Sequence, residues 1–168
     1  MDLVAFYRGE APDYQGRTLK VIWGWDDERL EERHDYIQVL FPLPDRSQFN
    51  AMAPLLDDTT VARFRADETI RANLLQSFRV MLRFYGLRQD EKTGEVVEAE
   101  NFAARAKEWL QPGDHNHLRI TRILKCLTLC DLHDQAAAFL RRLLTLPGQD
   151  RISAASRQYW RDAVGQTG

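Results

Sequence analysis

The sequence predicts an all-α protein, an irregular single-domain bundle of about seven helices over residues 1–168. Three observations lead there. Apolar residues recur at helical spacing through most of the chain, capping residues stand just ahead of these stretches with Gly or Pro just behind, and the connections are short. The pattern over Glu68–Tyr85 is the longest. It sets Ile70, Leu74, Phe78, Met81 and Tyr85 on one stripe with Leu75 and Leu82 beside it, between Asp67 and Gly86.

The other elements follow in order. Residues 2–8 form a short helix ending at Gly9, with Leu3, Phe6 and Tyr7 docking on the core. A Gly/Pro/Asp/Gln loop runs to Arg17, and Thr18 caps a helix through Val21, Ile22 and Trp23 that Gly24 breaks. WGWDDERLEERHDYIQVLFP, residues 23–42, then reads as one helix over 26–40. Asp26 caps it, Asp27 and Glu28 favour the dipole, Trp25 and Leu30 form a staple, and Pro42 stops it. At 100° per residue its inner face is Leu30, His34, Ile37 and Phe41, so His34 is expected in the core. The loop after Pro42 is expected to press Phe49, Met52, Leu55 and Leu56 inward, and Asp58 to cap a helix over 59–66. Thr93-Gly94, followed by two valines, points to a small β-hairpin near 88–98. Asn101 starts a helix with Phe102, Ala106, Trp109 and Leu110 inward, closed by Pro112-Gly113. Asp114 or Asn116 starts another, HNHLRITRILKCLTLC, with Ile120, Ile123, Leu124 and Leu127 on one face and Arg119, Arg122 and Lys125 on the other. Leu118 and Leu129 flank that basic face, which predicts cover on both sides. A helix over 134–146 and a Ser153-capped helix carrying Tyr159, Trp160 and Val164 complete the chain.

Composition excludes several classes. The 44% apolar and 29% charged content is that of an ordinary globular protein, and a net charge of −2 disfavours a general nucleic-acid or membrane-surface binder. No uncharged apolar run reaches the roughly 20 residues of a membrane span, and the first residues lack the pattern of a signal peptide. Cys126 and Cys130, four apart on one helix, are poorly placed for a disulfide, which points to a reducing, cytoplasmic setting. Nineteen of the 23 basic residues are arginine, suited to bidentate pairing with the 25 acids.

No complete catalytic constellation is present, and no cofactor is expected. His34 has Asp35 beside it, but neighbours on a helix point about 100° apart, so Asp35 does not orient the imidazole. A metal-dependent hydrolase or nuclease would draw on Asp114, His115, His117 and His34, yet His-x-His alone is a weak signal. The basic face of Arg119, Arg122 and Lys125 offers a nucleic-acid or regulatory partner a short anion site. Its structural alternative is pairing with Glu31, Glu32 or Asp35.

Three blocks carry a family resemblance: WDDERLEERHDYIQVLFP at 25–42 with FNAMAPLL at 49–56, SFRVMLRFYGL at 77–87, and Trp109 followed by HNHLRITRILKCL at 115–127. In this order they resemble the conserved N-terminal domain of the opioid growth factor receptor family, over roughly residues 20–145, in a bare-domain, bacterial-type form. Val39 stands where the family string carries a tryptophan. The resemblance implies a mainly helical domain and, from animal members, a receptor for the pentapeptide Met-enkephalin. It supplies no catalytic residues. The expected function is therefore a binding module for a peptide or protein partner. The candidate pocket lies between helices 26–40 and 115–129, from His34, Tyr36, Gln38, His115, His117, Arg119 and Arg122.

Overall fold

Local capping decides where most helices begin. The computed structural model describes residues 1–47 and 50–165. Among these are ten α-helices, one 3-10 turn and one two-stranded antiparallel sheet, so the all-α expectation with a small hairpin holds. In order they are α1 (Leu3–Arg8), α2 (Leu19–Trp23), α3 (Asp27–Glu32), α4 (Tyr36–Leu40), α5 (Asp58–Ala66) and α6 (Glu68–Phe84). The sheet strands β1 (Leu87–Gln89) and β2 (Val96–Glu98) come next, then α7 (Phe102–Trp109), α8 (Asn116–Leu129), α9 (His133–Leu143) and α10 (Ala154–Gly165). No described helix is long and apolar enough to cross a membrane. The chain divides into two compact units, Met1–Val80 and Met81–Gly168, with the division inside α6.

In the first unit Tyr7 is the fixed point. Its ring packs edge-on against Phe64 of α5 at 4.9 Å, its hydroxyl donates to the Leu40 carbonyl, and its own carbonyl accepts from Asn73 Nδ2 at 2.6 Å. Phe6, Ile22, Leu30, Tyr36, Val39, Leu40, Phe41 and Leu56 are buried around it. The caps at Thr18, Asp26 and Asp67 form as the sequence predicts, with Arg29 N donating to Asp26 Oδ1 at 2.8 Å. At α5 the cap is Asp57 rather than Asp58, since Asp57 Oδ1 takes the Thr60 amide at 2.8 Å.

Three expectations for this unit are corrected. Residues 26–40 are not one helix. Arg33 is extended at φ −88°, ψ 136°, which ends α3, and α4 begins three residues later. The inner face through His34 therefore never forms, and His34 is exposed. In the loop after Pro42, Leu56 is buried, but Met52 is 65% exposed and Leu55 39%, and the polar side chains Ser47 and Asn50 tie the segment to Gln38 and Tyr14. Phe49 lies outside the described residues.

The second unit centres on Tyr85, whose ring meets Trp109 at 5.2 Å and Phe139 at 6.3 Å. Trp109 Nε1 donates to the Tyr85 carbonyl at 3.1 Å, and Trp160 Nε1 donates to the His117 carbonyl at the same distance. The register pairs Leu87 with Glu98, Arg88 with Val97 and Gln89 with Val96. Arg142 Nε of α9 donates to the Val96 carbonyl at 2.8 Å, which covers that strand edge. Cys126 and Cys130 are free, buried thiols. Ser153 caps α10 by accepting the Ser156 amide. Helix α9 ends at Leu143, short of the expected 146, although Leu146 stays buried. Leu118 and Tyr159, expected to be covered, are 65% and 58% exposed. Trp160 and Ile120, next to the same stripes, already fill the core at 0%.

Candidate functional site

The three candidates of the first unit sit on or beside α4. Tyr36 is fully buried, its ring edge-on to Trp25 at 5.6 Å, and His34 lies at the surface just before the helix. Gln38 is buried, and its Nε2 donates to Ser47 Oγ at 3.0 Å. Its Oε1 has no hydrogen-bond partner among the described residues.

Gln38 is one end of a polar chain that the sequence reading missed. Ser47 Oγ accepts from the Asn50 amide, and Asn50 Nδ2 donates to the Tyr14 hydroxyl at 2.8 Å. That hydroxyl in turn donates to Asp35 Oδ2 at 3.4 Å. Arg17 then joins the two carboxylates, with its Nη2 2.6 Å from Asp13 Oδ2 and 2.5 Å from Asp35 Oδ2. Asp13 also accepts the amides of Gln15 and Arg17, each at 2.9 Å, which closes the loop that the helices leave open. The signal was present as a turn motif: Asp13 three residues before Gly16, where φ is +78° and the amide donates to the Asp13 carbonyl. Asp35 makes no cap bond to its own helix because its carboxylate is turned toward Arg17 and Tyr14. Burial pushes the Tyr14 hydroxyl pKa up, with Asn50 pulling the other way. Trp25 is flanked by the guanidiniums of Arg29 at 4.7 Å and Arg17 at 5.6 Å.

The four candidates of the second unit sit on or just before α8. Asp114 Oδ1 accepts the Asn116 amide at 2.8 Å, and His115 is exposed. His117 turns inward, 3% exposed, with Nε2 3.1 Å from the Trp109 carbonyl and its ring edge-on to Trp160 at 5.8 Å. A carbonyl only accepts, so Nε2 carries the proton. Arg119 is 4% exposed and donates from Nη1 to Asn116 Oδ1 at 3.2 Å, whereas Arg122 is partly exposed. Residues two apart on a helix point about 200° apart, so His115 and His117 do not converge. Among the described residues no group of three or more His, Cys, Asp or Glu side chains is placed to hold a metal ion. Burial also pushes the Cys126 thiol well above its ordinary pKa, so it is a core filler and no ready nucleophile.

His117 makes stability depend on pH. Burial lowers its pKa, against the opposing pull of the Trp109 carbonyl and the Asp114 carboxylate. The unfolded chain takes up this proton near pH ~6.5 and the folded chain only at lower pH. The neutral imidazole's contribution is therefore complete above that value and is lost as pH falls through it toward the folded pKa. Urea unfolding on both sides of pH ~6.5 is expected to show native protein losing more stability on acidification than His117→Gln, which keeps a donor but does not titrate. Equal losses would mean that the imidazole ionises as freely in the fold as outside it.

The arrangement offers structural pins, with both carboxylates of the Asp13–Arg17–Asp35 cluster paired to the one guanidinium. The chain matches, over residues 4–161, the family model described as the opioid growth factor receptor conserved region. It is similar to the opioid growth factor receptor of mouse (Mus musculus), 39% identical over 146 residues, which is 84% of this chain and 23% of that protein. The human (Homo sapiens) receptor is 38% identical over the same share of this chain and 21% of its own length. The mouse opioid growth factor receptor-like protein 1 is 39% identical over 105 residues, 62% of this chain and 22% of that protein. The chain thus spans less than a quarter of each of these relatives. No solved structure matches it significantly.

Proposed function

The chain belongs to the opioid growth factor receptor family, and we propose on that premise that it is a non-catalytic module that binds a peptide. The observation that carries the reading is the relatives' shared name, receptor for an opioid growth factor, at 38–39% identity over most of this chain. The local chemistry supports it. The inward-facing candidates are engaged in packing and hydrogen bonds, and the two thiols are buried. His34, His115 and the partly exposed Arg122 are the members of the candidate set that reach the surface, and in this reading they meet the partner. The two free, buried thiols favour a cytoplasmic setting.

Calorimetric titration of the intact chain with Met-enkephalin tests the reading. A saturable isotherm with one site per chain is expected. Heats no larger than those of dilution, across the whole soluble range of the peptide, would remove opioid-peptide binding from this protein.

A further inference from the structure

The hairpin and α9 enclose a cleft of about 340 Å³, large enough for a small ligand or one residue of a larger one. Its hairpin wall carries Gln89 and Glu95, and its helix wall Asp134, Gln135, Ala138 and Arg141. Three contacts hold the walls in place, one of which, Arg141–Glu95, joins them across the cleft. Gln89 Nε2 donates to the Gly94 carbonyl at 3.1 Å and fixes the turn. Arg142 Nε on the Val96 carbonyl, at 2.8 Å, fixes the strand to the helix. Arg141 grips Glu95 through Nη2 at 2.5 Å and Nε at 3.3 Å. Ala138, with no side chain beyond Cβ, leaves room on the helix side.

The charge of the lining is unbalanced. Arg141 neutralises Glu95, and Asp134 has no hydrogen-bond or ion-pair partner among the described residues. Two carboxylates thus face one guanidinium, with the amide oxygens of Gln89 and Gln135 as further acceptors. The Arg141–Glu95 pair is exposed, and such a pair exchanges partners at little cost. A group that brings positive charge and three N–H donors on a narrow stem complements Asp134 and keeps donors for the neighbouring amide oxygens. We propose that this cleft binds a primary ammonium group, from the free amino terminus of a peptide or from a lysine side chain. The inference deepens the peptide-binding reading above and rests on it for what delivers the ammonium.

The test is an NMR titration of the intact ¹⁵N-labelled chain with three probes: triglycine, N-acetyl-triglycine and n-butylamine. The amides of Gly94, Glu95 and Gln135 are expected to shift saturably with at least one amine-bearing probe and not with the acetylated peptide. Response to triglycine alone assigns a peptide terminus, response to n-butylamine alone a lysine side chain, and response to both the shared ammonium. Asp134→Asn, a change at an exposed position, should weaken the binding about tenfold with the rest of the spectrum unchanged. Equal shifts from N-acetyl-triglycine, no shift at these amides, or an undiminished affinity in Asp134→Asn would each overturn the proposal. Where triglycine shifts these amides, a Met-enkephalin complex that leaves Gly94, Glu95 and Gln135 unmoved would overturn the amino-terminus assignment and leave the peptide-binding reading standing.

Discussion

Trp160→Ala is expected to cost the second unit about 3–5 kcal/mol, the range for removing a fully buried large aromatic side chain. Trp160 is 0% exposed, its ring packs against His117, and its indole N–H reaches the His117 carbonyl. Its loss opens a cavity and removes one of the donors to that carbonyl, to which Thr121 Oγ1 still donates at 3.0 Å, with α10 released from its anchor on α8. Trp160→Phe keeps much of the volume and loses the donor, so a smaller cost of about 1–3 kcal/mol is expected. Tyr159, next along the helix but 58% exposed, supplies the control: Tyr159→Ala should stay within about 0.5 kcal/mol. Urea unfolding of the three variants checks the order. A Trp160→Ala protein as stable as Tyr159→Ala would mean that α10 is not anchored through this ring.

Gly86→Ala carries the second large effect. Gly86 ends α6 at φ +75°, which an L residue adopts at a cost of about 1–2 kcal/mol. A Cβ there would also lie 2.7 Å from Phe102 Cα and 3.0 Å from Arg105 Cβ. Phe102 Cα belongs to the α7 backbone, and Arg105 is held by its Nε bond to the Phe84 carbonyl and by stacking on the Phe84 ring, so neither yields freely. Overpacking adds about 1–3 kcal/mol, for a total near 2–5 kcal/mol. Gly94 has the same φ of +75° with nothing within 4 Å of its Cβ position. Gly94→Ala should therefore show the backbone cost alone. The difference between the two midpoints in urea isolates the close approach of α6's end to α7, and equal midpoints would show that α7 moves aside.

What was legible in the sequence was what neighbouring residues decide. The caps at Thr18, Asp26, Asp67 and Ser153 need only a side chain and an amide two or three residues on, and each forms. The long stripe of α6 and the hairpin after Thr93-Gly94 are legible for the same reason. The break at Arg33–Asp35 was not, because it accompanies Asp35's turn toward Arg17 and Tyr14, 18 and 21 residues back. Helical periodicity across that break assigned His34 to a core face it does not occupy. For the candidate set, the sequence picked out polar residues near apolar stripes and could not distinguish a structural pin from a surface contact. His117 and Arg119 prove to be buried and bonded, His34 and His115 exposed. The polar chain from Gln38 to Asp13 escaped because its members come from three separate segments, with only the Asp13 turn visible locally.

Equilibrium dialysis of the intact chain against Met-enkephalin, with mass spectrometry of both chambers, tests binding without catalysis in one measurement. The account predicts peptide enriched in the protein chamber, saturating at one per chain and recovered at its starting mass. Equal peptide on both sides of the membrane, or fragments appearing only where the protein is present, would contradict it.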